Sequence, residues 1–206
     1  MTAIIDYGVG NLYSLSCSLR FLGEECEITS DAEKIKGAER IILPGVGAFK
    51  DAYHKLCESG LVPVLRGEVE KGKPFLGICL GMQLLFEESF EHGQCEGLGF
   101  IKGSVCSLED DLRAAGFDYK VPQMGWNSLK IRQNDNPLMK YSREGDFVYY
   151  VHSFYAKNCA ESVVADSEYG IDVVGAVASG NVYGCQFHPE KSGEVGLNIL
   201  RAFTEI

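Results

Sequence analysis

Three short runs in the first half of the chain are apolar on both faces: Ala3-Ile4-Ile5, Ile41-Ile42-Leu43 behind Arg40, and Phe75-Leu76-Gly77-Ile78 behind Pro74. An alternating strand can leave one side in water, but a strand that is apolar throughout must be covered on both sides. Stretches with helical periodicity separate the runs, at about residues 12–22, 48–59 and 61–71. Gly23 can close the first helix, and Pro44-Gly45 is expected to stop the second strand. Buried strands joined by helices predict a mostly parallel central sheet with helices on both faces.

After about residue 98 the pattern changes. Strand-like segments near 100–107, 124–132, 146–156 and 162–168 follow one another without long helices between them. Val173–Ala178 and Val182–Phe187 flank Ser179-Gly180-Asn181, a hairpin signal. A last helix is expected over about 193–204, with Ser192 as its cap. No repeat, linker or low-complexity stretch divides the 206 residues, and a chain of that length buries roughly 70% of its unfolded surface. The expectation is one α/β domain over residues 1–206, with an antiparallel extension in its C-terminal half.

Charge and cysteine usage narrow the partners. With 19 basic and 29 acidic side chains the net charge is −10, which disfavours duplex nucleic acid or an anionic membrane as the main partner. The opening MTAIIDYGVG lacks the basic and apolar stretches of a signal peptide. Residues 74–86, the most apolar stretch, are too few to span a bilayer and include Gln83. The expected location is the cytoplasm. Eight cysteines form no CxxC pair and read as free thiols in a reducing compartment. His92 and Cys95 lack a second pair of ligands, so no metal site is expected.

Gly77-Ile78-Cys79-Leu80-Gly81 carries the most chemistry. It follows a buried strand and opens an apolar helix expected to run from Leu80 to about Glu87. That is the layout of a nucleophile elbow with Cys for Ser, in which small flanking residues permit the tight turn. A helix start there would favour the thiolate, and the Leu80 amide could meet a developing oxyanion. A small buried cysteine at a strand end is the competing reading.

For a base, His54 and His92 lie in charged or polar surroundings and read as surface residues. His188 follows an apolar strand within Gln186-Phe187-His188-Pro189-Glu190, where Pro189 favours an extended chain. Residues 188 and 190 would then share a side, giving a Cys–His–Glu set; a solvated strand-end turn fits the peptide equally well. His152 ranks second because no carboxylate follows it closely. Gln83, one helical turn beyond Cys79, is placed beside the sulfur. The loop Pro44-Gly45-Val46-Gly47-Ala48-Phe49 is a second source of backbone amides. Gly8-Val9-Gly10 falls short of a dinucleotide fingerprint because Tyr13 stands at its third position.

Together these motifs resemble class-I (triad-type) glutamine amidotransferases over essentially the whole chain. The matching stretches are Pro44–Phe49, Gly77–Gln83, His152–Phe154 and Gln186–Glu190. The resemblance implies Cys79 as nucleophile, His188 as base and acid, and Glu190 as its orienting partner. It implies an oxyanion hole from the backbone of Val46, Gly47 and Leu80, and L-glutamine held by Gln83, His152, Ser153 and Phe154. No metal or other cofactor is implied. Asp6–Leu12, the PGVGAF stretch and Met124-Gly125-Trp126-Asn127 look, more narrowly, like the glutaminase subunits of imidazole glycerol phosphate synthase. Such a subunit would pass ammonia to a (β/α)8 cyclase in a heterodimer, and Asn11 and Trp126 are expected at that interface, with a core tryptophan as the alternative. Gln123 departs from the His that several members carry there. A surface-sugar paralogue, a stand-alone γ-glutamyl hydrolase and a non-catalytic subunit remain competing readings.

Overall fold

The computed structural model describes residues 1–206. In chain order, β1 (Thr2–Ile5) leads into α1 (Leu12–Phe21), β2 (Cys26–Thr29) into α2 (Ala32–Gly37), and β3 (Arg40–Gly45) into α3 (Phe49–Glu58) and α4 (Val62–Glu70). Then come β4 (Phe75–Cys79), the single turn α5 (Leu80–Gln83), β5 (Phe86–Ser89), β6 (Cys95–Glu96), β7 (Ile101–Ser107) and α6 (Leu108–Ala114). The remainder is β8 (Gln123–Ser128), β9 (Lys130–Ile131), β10 (Phe147–His152), β11 (Phe154–Lys157), β12 (Val163–Tyr169), β13 (Ile171–Ser179), β14 (Val182–Cys185) and α7 (Gly193–Thr204).

The central sheet has the order β2-β1-β3-β4-β14-β13-β12-β9. Its first five strands are parallel and the rest antiparallel, with β13 and β14 forming the expected hairpin. Alternate side chains explain why both faces had to be apolar. Ile5, Ile41, Leu43 and Phe75 pack with Ile35, Phe49, Leu56 and Leu65 of α2, α3 and α4. Ile4, Ile42, Leu76 and Ile78 pack on the other face with Leu15 and Leu19 of α1 and Ile199, Leu200 and Phe203 of α7. Two smaller sheets flank this core: the order β11-β7-β5-β6, and an antiparallel ribbon of β8 and β10.

Several sequence expectations are corrected. β2 and α2 went unread because an edge strand is half polar and the helix is six residues long, held by its Asp31 cap. β3 continues through Pro44-Gly45, beside Ile78 and Cys79 of β4. Pro44 turns its carbonyl, and so its missing N–H, away from β4 to the side where the Tyr7 hydroxyl donates to it at 2.8 Å. The helix expected to reach residue 87 stops at Gln83, and Phe86–Ser89 pairs with β7 and β6. Leu84, Leu85 and Phe86 are all fully buried, so periodicity had no polar face with which to mark the switch. The stretch 146–156 breaks at Ser153 into strands of different sheets. The strand after the hairpin ends at Cys185, and Ser192 does not cap α7 with its side chain.

Between β4 and α5 the chain makes the tight turn that the glycines imply. Cys79 sits at φ 54°, ψ −112°, a region L residues rarely occupy. A Cβ on Gly77 would lie 2.6 Å from the Gly81 carbonyl oxygen, one on Gly45 2.7 Å from the Gly81 nitrogen, and one on Gly81 would be driven into the Leu43 carbonyl. Gly81→Ala is therefore expected to destabilise the fold by about 3 kcal/mol or more, since backbone meets backbone and neither can move aside. Gly67, in α4 with open space around its Cα, is the contrast. Gly67→Ala should raise stability by about 0.5–1 kcal/mol, and urea unfolding of both variants checks the pair of opposite signs.

Candidate active site

One cavity of about 640 Å³ gathers the residues that the sequence pointed to: Val46, Gly47, Cys79, Leu80, Gln83, His152, Ser153, Phe154 and His188 all line it. Cys79 reaches it from the end of β4, the 46–47 loop from the end of β3, and residues 152–154 from the junction of β10 and β11. His188 comes from the segment after β14. Its N–H donates to the Tyr149 carbonyl at 2.9 Å, and its own carbonyl accepts from Ser192 Oγ at 2.7 Å. Ser192 Oγ also accepts from the Tyr149 amide, so the serine read as a helix cap instead clamps the histidine segment to β10.

Glu190 lies behind His188, with Nδ1 2.9 Å from its Oε1 and both side chains 3% exposed. The extended geometry expected for 188–190 is not what joins them. Residues 189–191 form a short 3-10 turn, and that turn folds the carboxylate back under the ring. His54 is exposed on α3 outside the cavity. His92 is exposed too, but it lines the cavity and packs edge-on against Phe154. Asn11 and Trp126 do not line this cavity.

Two residues given no role on sequence join the site. Gln186 is fully buried, and its Nε2 donates towards Cys79 Sγ at 3.8 Å. Its Oε1 accepts from Gln83 Nε2 at 3.0 Å, and the same Gln83 nitrogen donates to the Phe154 carbonyl at 2.9 Å. Gln83 is thus not simply a neighbour along the helix: its NH2 is committed inward, and its Oε1 remains as an acceptor. Gln186 stands two residues before His188, and that spacing was the available signal. Glu91 is also on the cavity wall, accepting from the Phe49 amide at 2.7 Å through Oε2. Nothing around Glu91 in the sequence distinguishes it from other loop carboxylates.

The amides of Val46 and Gly47 make no hydrogen bond within the chain, and Gly47 has φ +95°. At the first position of α5, Leu80 has no intrahelical partner for its amide. The Val46 and Gly47 donors face no competition from secondary structure. The helix itself is one turn long, so it offers far less dipole to a thiolate than the longer helix expected from sequence.

Electrostatics separates the two buried histidines. For His188, burial alone would lower the pKa, but the Cys79 thiol beside the ring and then Glu190 outweigh it and raise it to about 9. For His152, burial dominates and lowers it to about 4. Its Nδ1 meets the Phe154 carbonyl at 2.9 Å and its Nε2 the Gln123 carboxamide at 3.0 Å. The carboxamide atom at that distance is Oε1, but a neutral ring donating from Nδ1 accepts at Nε2, so the Gln123 amide belongs the other way round, with its otherwise unpartnered NH2 on the ring. Both edges of His152 are occupied, whereas the His188 ring bonds through Nδ1 to Glu190.

Opposite pH dependences follow. The unfolded chain protonates His152 below about pH 6.5 and the fold only near pH 4, so acid removes stability across that window. The His188 contribution runs the other way, full below pH 6.5 and lost as pH rises through about 9. The stability difference between the wild type and His188→Asn should narrow from pH 6.5 to 9, as read by urea unfolding. Ring-proton NMR should show His152 titrating near 4 and His188 near 9; a reversed order would overturn the assignment.

Comparison with known proteins places the chain. The family model described as glutamine amidotransferase class-I matches residues 3–205. A protein of Caldanaerobacter subterraneus subsp. tengcongensis named imidazole glycerol phosphate synthase subunit HisH is 50% identical, covering 100% of this chain and 98% of its own. One of the same name from Geobacillus sp. (strain WCH70) is 51% identical, covering 100% and 97%. Among solved structures, one described as glutamine amidotransferase superposes with a TM-score of 0.76 at 21% identity, covering 98% and 97%. PurLQS from Thermotoga maritima gives 0.73 at 20%, covering 99% and 97%. At such identities the structures share the fold, an α/β arrangement with a mostly parallel sheet and an antiparallel extension. The family match along nearly every residue, and half-identity to the HisH proteins from end to end, carry the assignment further: the chain belongs to the class-I glutamine amidotransferase family.

Proposed function

We propose that the chain hydrolyses L-glutamine to glutamate and ammonia through a thioester on Cys79, and supplies the ammonia to a cyclase subunit of imidazole glycerol phosphate synthase in histidine biosynthesis. The observation that carries this reading is the buried pair His188–Glu190 set behind Cys79, opening on a cavity with unpaired backbone amides. Cys79 Sγ attacks the side-chain carbonyl carbon of glutamine, and the oxyanion is received by the amides of Val46 or Gly47 and Leu80. His188 takes the Cys79 thiol proton and delivers it to the amide nitrogen, which leaves as ammonia; it then takes a proton from the water that cleaves the thioester and returns it to the sulfur. Glu190 holds the imidazole and balances its charge. Gln83 Oε1 accepts from the substrate carboxamide, residues 152–154 line the head group, and the Glu91 carboxylate suits its α-ammonium.

The reaction itself calls for no metal or organic cofactor. The eight cysteines are free, in keeping with a reducing cytoplasm, and no helix is long and apolar enough to cross a membrane. The half-identical relatives are named as a subunit of imidazole glycerol phosphate synthase, which supports a partner subunit that uses the ammonia; for it we infer a cyclase of (β/α)8 fold and a heterodimer. The β8–β10 ribbon is the surface we assign to it. Met124, Trp126 and Phe147 are 64%, 56% and 56% exposed, with Trp126 packed edge-on against Tyr149. That exposure sets aside the core-tryptophan alternative. An exposed aromatic flanked by apolar neighbours is typical of an interface anchor.

Cys79→Ala should abolish glutamine hydrolysis while the assembled complex still makes product from free ammonia; residual glutaminase within about tenfold of wild type would overturn the nucleophile assignment. His188→Asn should be nearly as damaging and Glu190→Gln milder, acid–base help being worth roughly 10²–10⁴ in rate. Trp126→Ala should stay folded and weaken binding of the cyclase by about 2 kcal/mol, measured by calorimetry. Glutaminase that does not respond to added cyclase would favour a stand-alone hydrolase or a subunit for another acceptor.

A further inference from the structure

Asn11 stands at the N-cap of α1, where an asparagine ordinarily turns its side chain onto the first free amides of its own helix. Here it does not: no side-chain cap bond forms. Its Nδ2 points instead across the fold to Glu190 Oε1, 3.5 Å away and 179 positions along the chain. Apart from the His188 ring, it is the only side-chain donor that Glu190 meets. The other carboxylate oxygen, Oε2, is buried with no partner. A carboxylate buried that deeply is held in place only by the donors around it, and each one missing lets it turn away from the imidazole. A small cavity of about 10 Å³ lies between Asn11, Gly45, Val46, His188 and Glu190.

We propose that Asn11 is a positioning residue of the triad: its carboxamide NH2 holds the Glu190 carboxylate, which in turn holds the His188 ring against Cys79. This rests on the triad reading above. It also assigns the half-buried Asn11 side chain a task inside the site rather than on the partner surface. In this orientation Nδ2 faces Glu190 and the side-chain oxygen makes no cap bond to α1.

The test uses the full chain assembled with its cyclase and follows glutamine hydrolysis. Asn11→Asp keeps the shape but removes the NH2 donor and sets a second carboxylate against Glu190. Its kcat should fall by more than about tenfold with KM within roughly twofold, in a chain that circular dichroism shows to be folded. Asn11→Ala should lose about tenfold in kcat, and adding it to Glu190→Gln should cost nothing further, since both act through one carboxylate. Wild-type kcat in Asn11→Asp, losses that multiply with Glu190→Gln, or weakened cyclase binding with kcat unchanged would each overturn the proposal. Cys79→Ala, run alongside, separates the two levels: glutaminase surviving there would bring down the triad reading itself, whereas active Asn11 variants beside an inactive Cys79→Ala would bring down only this inference.

Discussion

The structure turns on the backbone of one residue. Cys79 is held at φ 54°, a conformation that costs of order 1–3 kcal/mol for a side-chain-bearing residue and persists only where its surroundings over-determine it. Here the determinants are packing on both sides. Leu76, Met82, Leu84 and Leu85 are fully buried, and Ile78 and Leu80 nearly so, which anchors the strand before the cysteine and the turn after it. Between those anchors, Gly45, Gly77 and Gly81 let β3, β4 and α5 approach at backbone contact. Without that approach, the sulfur would not stand at the cavity floor beside the ends of two parallel strands, where open α/β sheets commonly place their sites.

Around this strained point runs a polar network that joins the three sheets. Gln186 follows β14 of the central sheet, Gln83 closes α5, and the Phe154 carbonyl begins β11 of the small sheet. His152 ends β10 and reaches both Phe154 and Gln123 of β8. In a buried, low-dielectric setting such bonds fix a single arrangement, because any broken one strands a polar group. The cavity wall therefore has little freedom to drift. The ribbon has two faces in effect: Met124 and Trp126 project outward to solvent, and Gln123 beside them is buried against His152. A partner seated on the outer face and a substrate in the cavity would bear on the same pair of strands.

The amino-acid sequence alone determined the parallel core, because Ile4-Ile5, Ile41-Ile42-Leu43 and Phe75-Leu76 have no polar face and admit no half-exposed solution. It also marked the elbow, since Gly77 and Gly81 around a cysteine at a strand end permit a tight turn, while the resemblance to the amidotransferases joined Cys79, His188 and the 46–47 loop into one chemistry. Tertiary structure decided the rest. Where α5 ends could not be read, because Leu84 to Phe86 are buried equally well as helix or strand. What each buried histidine touches depended on distant segments, Gln123 and Phe154 occupying His152 while Glu190 and Cys79 take His188. Asn11 is expected at the partner surface and Ser192 as a helix cap, yet one faces Glu190 and the other clamps His188 to Tyr149. The physical reason is common to all of these. Periodicity and turn chemistry are local and survive in sequence, whereas the choice among competing hydrogen-bond partners is made only when residues far apart in the chain are brought within three or four ångströms.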